Sequence, residues 1–335
     1  MALFAPQKEL EGKFFRVAQK KDGLMITMPG EEGTVEKVYI VAILIINMDK
    51  KKNKITPGHN ACAGCGQLSA VQAVMRALSD DTILVNATGC LEVTTTAHPQ
   101  SSWRLPWMHS LFENSAAVAS GIKATLKHKK KKTKVVIQAG DGGTYDIGIG
   151  LISGMWERNE EIVYICYDTE SYSNTGIQAS GSTPWGANTV TTPAGKNSLG
   201  SEQNKKEMLA IALAHGLKYV AQSTSAFPDD ITNKVKHALE TNGPSYIQIL
   251  TPCVPGWKIK TDEAIRAARL AVQSGLYPLL EYKDGKIIDS SINDNFKASP
   301  VDEYLRIQGR FRHLQPEEII KIQNLANQNI ARYHL

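Results

Sequence analysis

The 335-residue sequence has no long hydrophobic run. Its longest apolar stretch, residues 38–47, falls far short of the roughly 20 residues that span a bilayer, and no opening segment has the basic, apolar, small-residue order of a secretory signal. A cytoplasmic protein without a membrane partner is expected. Charge of one sign is also missing. The 38 Lys and Arg against 33 Asp and Glu leave +5, without the clustered basic excess of a nucleic-acid binder, so no nucleic-acid partner is expected. Cysteine is scarce and odd in number: Cys62, Cys65, Cys90, Cys166 and Cys253. Such a set in a chain this long argues against a secreted disulfide framework and leaves metal binding or catalysis as the sharper readings. Hydrophobic residues at 42% and charged residues at 21% exclude disordered, collagen-like and coiled-coil compositions.

Along the chain, residues 1–55 read as an N-terminal extension: a Pro- and Gly-punctuated stretch, the β-like run VEKVYIVAILIIN, and the charged connector MDKKKNK. Over residues 56–260 short apolar strands alternate with helical patterns. Helices are predicted at 68–78, 115–127, 147–158 and 206–215, and strands at DTILVNAT, TKVVIQAG, EIVYICYD and PSYIQIL, with a long Ser-, Thr- and Gly-rich segment at 169–201. The alternation predicts an α/β fold whose mainly parallel sheet is flanked by helices. Residues 261–335 form a helical C-terminal tail, DEAIRAARLAVQS and PEEIIKIQNLANQNIARY around a Gly-, Asp- and Asn-rich turn region, expected to cap the domain or contact partner subunits. Predicted strand ends coincide with AGDGG, YDTESYSNTG and LTPC. Ligands of open α/β sheets sit outside the carboxyl ends of strands, so these three loops should converge on one site.

Two constellations carry chemistry. In GHNACAGCG, Cys62 and Cys65 form a Cys-x-x-Cys turn whose flanking Gly58, Gly64 and Gly66 let backbone N–H groups approach the sulfurs; Cys90 in TGCLEV and Cys253 in TPCVPGW complete a set of four. Four thiolates suit an iron–sulfur cluster or a structural zinc equally by count, and a redox dithiol or unrelated core cysteines are the plainer alternatives. Cys166, inside the apolar run IVYICYD, reads as a core residue. The second constellation is Gly140, Asp141, Gly142 and Gly143 at a strand end before a helix. There, free N–H groups would face a diphosphate and Asp141 would bind Mg²⁺. DTESYSNTG, one βα unit later, would complete the metal shell.

Taken together, GHNACAGCG, TGCLEVTT, AGDGGTYDIGIG, DTESYSNTGIQ, STPWGANT and TPCVPGW resemble the β subunit of the pyruvate:ferredoxin oxidoreductases, within the 2-oxoacid:ferredoxin oxidoreductase family, over roughly residues 56–257. The resemblance implies the thiamine-diphosphate-binding fold and coenzyme A-dependent oxidative decarboxylation of a 2-oxo acid with ferredoxin as acceptor. By position it makes Cys62, Cys65, Cys90 and Cys253 the ligands of a 4Fe-4S cluster, and Asp141, the Thr169 side chain and the Ser171 carbonyl the ligands of Mg²⁺. Gly140, Asp141, Gly142 and Gly143 would cradle the diphosphate with Thr169, Glu170, Ser171, Tyr172, Ser173 and Asn174, while Cys90 would lie beside the cofactor. Thr169 stands where many relatives carry Asn, and either offers an oxygen. Gln67 would make a polar contact to the cofactor. Asn174 would reach the substrate as the catalytic residue of this chain, and its Asn-Thr-Gly context resembles pyruvate-type enzymes.

The glutamate that activates the aminopyrimidine in thiamine enzymes appears in none of these motifs. The resemblance places it on an α subunit, coenzyme A binding on a γ subunit, and further clusters on a ferredoxin-like δ subunit, or on fused equivalents. Three alternatives stand beside this reading. One is a relative acting on another 2-oxo acid or on oxalate. The second is a non-redox thiamine-dependent decarboxylase or carboligase subunit with structural cysteines, and the third a zinc-binding interaction protein. The run HKKKK at 128–132 reads as a solvated loop or as a steering patch for acidic ferredoxin. His59 lies beside the cluster motif, and His98, His109 and His215 show no metal-ligand spacing.

Overall fold

A computed structural model describes residues 16–20, 23–27, 53–289 and 298–335. The chain divides into two compact units, Met1–Asn53 and Lys54–Leu335. In the first, β1 (Arg16–Lys20) and β2 (Gly23–Thr27) pair as an antiparallel ribbon. The β-like run at 35–47 lies outside the described residues.

In the second unit the chain runs through α1 (Gly66–Ala77), β3 (Thr82–Ala87), α2 (Cys90–Thr95), β4 (Trp107–Ser110), α3 (Ser115–His128) and β5 (Lys134–Gly140). A π-helical turn, Gly142–Asp146, leads to α4 (Ile149–Glu157), β6 (Val163–Asp168), the small ribbon β7 (Ala194–Gly195) and β8 (Ser198–Leu199), and α5 (Met208–Ala214). Then come β9 (Tyr219–Thr224), α6 (Pro228–Glu240), β10 (Ser245–Leu250), α7 (Val254–Trp257), α8 (Ala264–Gln273), β11 (Leu280–Lys283), β12 (Lys286–Asp289), α9 (Val301–Arg306), a 3₁₀ turn at Gly309–Phe311 and α10 (Pro316–Tyr333).

The main sheet has the order β12-β11-β9-β10-β6-β5-β3-β4. Pairing is parallel from β9 through β4, and β11 and β12 close one edge as an antiparallel hairpin. Its central strands β6, β9 and β10 are buried at every position, as a parallel sheet covered on both faces requires. On one face Val71 and Val74 of α1 pack with Ile231 and Val235 of α6. On the other, Ala116, Ile152, Met155, Trp156 and Met208 pack from α3, α4 and α5. Residues 261–335 supply Ala264, Tyr304, Phe311 and Ile322 to a third cluster, shared with Trp185, Leu250 and Trp257.

Register is what positions the site. Gly140 of β5 pairs beside Tyr167 of β6, and Leu250 of β10 beside Asp168, so the three predicted loops leave the sheet at one level. The chain also reverses its direction of travel here: from β3 it passes outward to β4, then returns to β5 on the other side of β3. That switch opens a crevice between the carboxyl ends of β3 and β5.

Several pieces escape the sequence pattern, α2 and β4 among them. The strand β9 (YVAQST) and helix α6 lack a clear apolar signal because buried polar groups are satisfied internally: Gln222 donates to the Pro278 carbonyl at 2.8 Å, and buried Lys234 donates to the Gln222 carbonyl at 3.0 Å. In the tail, the Asp- and Gly-rich turn proves to be a hairpin tip, with Asp284 and Gly285 at φ 49° and 76° joining β11 to β12.

One glycine is demanded by this packing. Gly64 sits at φ +75° with its missing Cβ 1.9 Å from the Thr261 carbonyl oxygen, so the Cys-x-x-Cys loop lies directly on the chain after Trp257. Gly64→Ala is expected to lower unfolding free energy by about 2 kcal/mol or more. Gly121→Ala, in open space inside α3, should instead gain up to about 1 kcal/mol from helix propensity. Denaturant titration of both variants checks the contrast; equal effects would contradict it.

Candidate cofactor and metal site

At the carboxyl ends of β3, β5 and β6 lies a cavity of about 160 Å³. Gln67, Cys90, Gly140, Asp141, Gly142, Thr169, Ser171, Tyr172, Ser173 and Asn174 all line it, joined by Thr88, Gly89 and Phe112. Two residues expected there do not. Gly143 packs under the Phe112 carbonyl, which a Cβ would meet at 3.0 Å, and the Glu170 side chain turns away toward Lys205 and Arg310.

The floor is built by β5 turning straight into helix. Asp141 already has helical angles (φ −62°, ψ −43°), and the π-helical turn follows at once. Gly142 is required because a Cβ would come within 2.1 Å of the Tyr172 ring. That ring spans from the second loop to the turn, donating to Asp146 Oδ2 at 2.9 Å and meeting Phe112 edge-on at 6.0 Å.

Asp141 is buried and surrounded by neutral donors. Its Oδ1 accepts from the Thr169 amide at 3.1 Å and lies 2.9 Å from Thr169 Oγ1, while Oδ2 accepts from Ser180 Oγ at 2.5 Å. Thr169 Oγ1 is also 3.0 Å from the Ser171 carbonyl oxygen and receives Ser173 Oγ at 2.9 Å. One hydroxyl proton cannot serve Asp141 and the Ser171 carbonyl together. Three oxygens of hard-cation type, one of them a carboxylate, are thus gathered with more acceptors than donors, and this donor set fits Mg²⁺. Burial, then the nearby Asp168 charge, push the Asp141 carboxyl up to about 7. Ser180 had no signal in the sequence beyond a Ser-rich loop.

The cysteines come from three segments drawn to one wall. Cys65 N–H donates to the Cys62 carbonyl at 3.1 Å, closing the turn ahead of α1; Asn60 N–H ties this loop to the Thr94 carbonyl of α2 at 2.8 Å. Cys90 begins α2, and Cys253 precedes α7, its Sγ accepting from the Gly256 amide at 3.4 Å. The Gly66 amide reaches the Pro252 carbonyl at 3.4 Å, and a Cβ on Gly66 would stand 2.9 Å from that oxygen. Burial, followed by the charges of Cys253, Cys65 and Cys62, pushes the Cys90 thiol up to about 12. Among the described residues no three His, Cys, Asp or Glu side chains lie close enough together to hold a metal ion. The four thiols are neighbours held apart. His59 Nδ1, three positions before Cys62, is buried without a hydrogen-bond partner. Cys166 lies in the core with Met155 and Tyr164.

Other residues fall elsewhere. The HKKKK run connects α3 to the start of β5, about 20 Å of strand away from the cavity end. His109 Nε2 lies 2.7 Å from Thr88 Oγ1 at the cavity edge, and His215 bonds Ser153 on α4.

Residues 87–249 match the family described as thiamine pyrophosphate enzyme, C-terminal TPP binding domain. The pyruvate synthase subunit PorB of Methanosarcina barkeri is 47% identical over 291 residues, covering 85% of this chain and 98% of its own length. The chain belongs to the PorB family of pyruvate synthase subunits. Another PorB relative, from Methanocaldococcus jannaschii, is 44% identical over 293 residues, with 85% and 98% covered. The ketoisovalerate oxidoreductase subunit VorB of Pyrococcus furiosus is 42% identical over 272 residues, covering 79% of this chain and 88% of its own. A solved 2-oxoglutarate:ferredoxin oxidoreductase from Magnetococcus marinus shares the fold at a TM-score of 0.57 and 24% identity, with 82% of this chain and 96% of that chain covered. The thiamine-diphosphate-binding α/β fold expected from sequence is therefore the fold of this PorB family member. Among the described residues no helix is long and apolar enough to cross a membrane.

Asp141 generates a pH prediction for the PorB fold without added metal. A carboxyl raised to about 7 in the folded state binds a proton that the unfolded chain has released above about 4, so its contribution to stability falls as pH rises from about 4 to 7. Thermal unfolding in chelator at pH 5, 6, 7 and 8 should show this decline, and Asp141→Asn should flatten it. An identical pH profile in both proteins would contradict the assignment.

Proposed function

We propose that the chain is the β subunit of a pyruvate:ferredoxin oxidoreductase, active only with partner subunits in the cytoplasm. One observation carries the reading: Cys90 lines the cavity at Asp141 and Thr169 and at the same time lies within electrostatic reach of Cys62, Cys65 and Cys253. Cys90 thus belongs to both the cofactor pocket and the four-thiol set, which supports direct electron transfer between them.

In this reading Asp141, Thr169 Oγ1 and the Ser171 carbonyl hold Mg²⁺, and the start of the π-helical turn offers its amides to the diphosphate. Gln67 and Asn174 orient the organic part of the cofactor and the substrate. Cys62, Cys65, Cys90 and Cys253 hold a 4Fe-4S cluster, whose positive iron core would offset the burial and repulsion that raise the Cys65, Cys90 and Cys253 thiols. Bound thiamine diphosphate supplies carbanion stabilisation for decarboxylation of the 2-oxo acid, and the cluster supplies a one-electron acceptor.

The site is incomplete in this chain. Among the described residues no glutamate lines the cavity, while Leu111, Ile147 and Val190, adjoining the lining loops, are 64%, 54% and 66% exposed. An α subunit docking on this apolar rim would bring the missing glutamate, with γ and ferredoxin-like δ subunits or their fused equivalents supplying coenzyme A binding and onward transfer to ferredoxin. Residues 1–55 and 261–335 are further contact surfaces. Pyruvate is favoured over other 2-oxo acids because the PorB relatives of Methanosarcina barkeri and Methanocaldococcus jannaschii, named for pyruvate synthase, are 47% and 44% identical against 42% for the VorB relative.

Anaerobically purified protein should contain about four irons per chain, and Cys90→Ala should lose them while remaining folded. Stoichiometric zinc without iron would overturn the cluster assignment. The isolated chain should be inactive, and adding its α partner should restore dye reduction that depends on a 2-oxo acid, fastest with pyruvate across a panel including 2-ketoisovalerate and oxalate. Turnover by the chain alone at the rate of the complex would contradict the shared site.

A further inference from the structure

The loop carrying Thr169 and Ser171 is fastened from behind by charge. Its residues alternate in direction: Thr169 turns its hydroxyl to Asp141 and the Ser171 carbonyl meets that hydroxyl, whereas Asp168 and Glu170 turn into the interior. Glu170 has φ +60°, a left-handed conformation that glycine adopts freely and a glutamate only with strain. Its carboxylate is tied down on both oxygens. Oε1 accepts from Lys205 Nζ at 2.9 Å and Oε2 from Arg310 Nη2 at 2.6 Å, while Lys205 also reaches Asp168 Oδ2 at 2.6 Å. Burial pushes the Glu170 carboxyl up, but Lys205 and Arg310 outweigh it and hold the group below its ordinary value.

Arg310 comes from the C-terminal region, 140 residues beyond Glu170, and is 2% exposed. Its guanidinium lies 3.9 Å above the Trp257 ring, and its Nε donates to Gln308 Oε1 at 2.9 Å. Trp257 in turn donates its indole N–H to the Thr169 carbonyl at 2.9 Å. Arg310 therefore bears on Thr169 from two directions: through Glu170, the next residue, and through the indole holding the Thr169 carbonyl. None of these side chains enters the cofactor cavity.

We propose that Arg310 and Glu170 are positioning residues of the cofactor-metal site: their ion pair, extended through Lys205 to Asp168, aims the Thr169 and Ser171 oxygens, so the C-terminal region sets how tightly Mg²⁺ and the diphosphate are held. The proposal rests on the functional reading above. Mg²⁺ tolerates little departure from octahedral geometry, so a loop loosened at its base loses metal affinity before it loses its fold. Outer-shell partners of metal ligands typically contribute 10- to 100-fold in affinity.

The test uses the full chain assembled with its partner subunits, as wild type, Arg310→Lys, Glu170→Gln, and the Arg310→Met/Glu170→Gln double variant. The double variant leaves Lys205 paired with Asp168 and no buried charge alone. For each, the Mg²⁺ concentration giving half-maximal retention of thiamine diphosphate is read by calorimetry, beside iron content and thermal unfolding. The expected result is a rise in that concentration of about tenfold or more in all variants, with iron content and cooperative unfolding retained. A folded double variant with the wild-type Mg²⁺ requirement would overturn the proposal. So would retention and iron content falling together in proportion to lost folded protein in every variant, which is the mark of a merely structural role. Wild-type protein that binds no thiamine diphosphate with Mg²⁺ present would overturn the functional reading itself.

Discussion

The Thr169 hydroxyl stands between two acceptors, Asp141 Oδ1 and the Ser171 carbonyl, with one proton to give. Much of the surrounding structure serves to hold that arrangement. Parallel pairing of β5 and β6 fixes the level at which Asp141 and Thr169 leave the sheet. Tyr172 and Asp146 clamp the second loop onto the π-helical turn, and Trp257 holds the Thr169 carbonyl. A cluster of acceptors that a divalent cation would satisfy is thereby gathered at one point.

The thiol wall obeys a related constraint. Bringing the Cys-x-x-Cys loop onto the Pro252–Thr261 segment demands backbone contact closer than a side chain permits, and Gly64 and Gly66 supply it. Cys253 and Trp257 then stand at opposite ends of α7, one within electrostatic reach of Cys62 and Cys65 and one bonded to the Thr169 carbonyl. A four-residue helix thus joins the two halves of the proposed centre.

Legibility in the sequence followed the locality of each feature. The strand and helix pattern from Thr82 to Leu250 was readable where burial is apolar, as in VYICYD, and failed at YVAQST, where buried amides and hydroxyls find partners far along the chain. That Asp141, Thr169 and Ser171 come together was legible because their motifs lie at strand ends, and register brings strand ends together. Glu170 was misplaced toward the cofactor, since adjacency in DTES gives no sign that its left-handed backbone turns the carboxylate toward Arg310. Ser180 and Trp257 were invisible as partners of Asp141 and Thr169, because both contacts depend on how long loops fold back. The resemblance supplied the ligand sets; the structure supplied the closeness of the pocket to the thiols.

The central claim is that one wall of this chain serves both a thiamine diphosphate pocket and an iron–sulfur cluster. Anomalous diffraction at the iron edge, on anaerobically grown crystals of the complex containing thiamine diphosphate and Mg²⁺, tests it most directly. The account predicts an iron peak enclosed by the sulfurs of Cys62, Cys65, Cys90 and Cys253, next to a cofactor whose metal is ligated by Asp141, Thr169 and the Ser171 carbonyl. Signal at the zinc edge alone, or an iron-free set of thiols beside an occupied cofactor pocket, would contradict it.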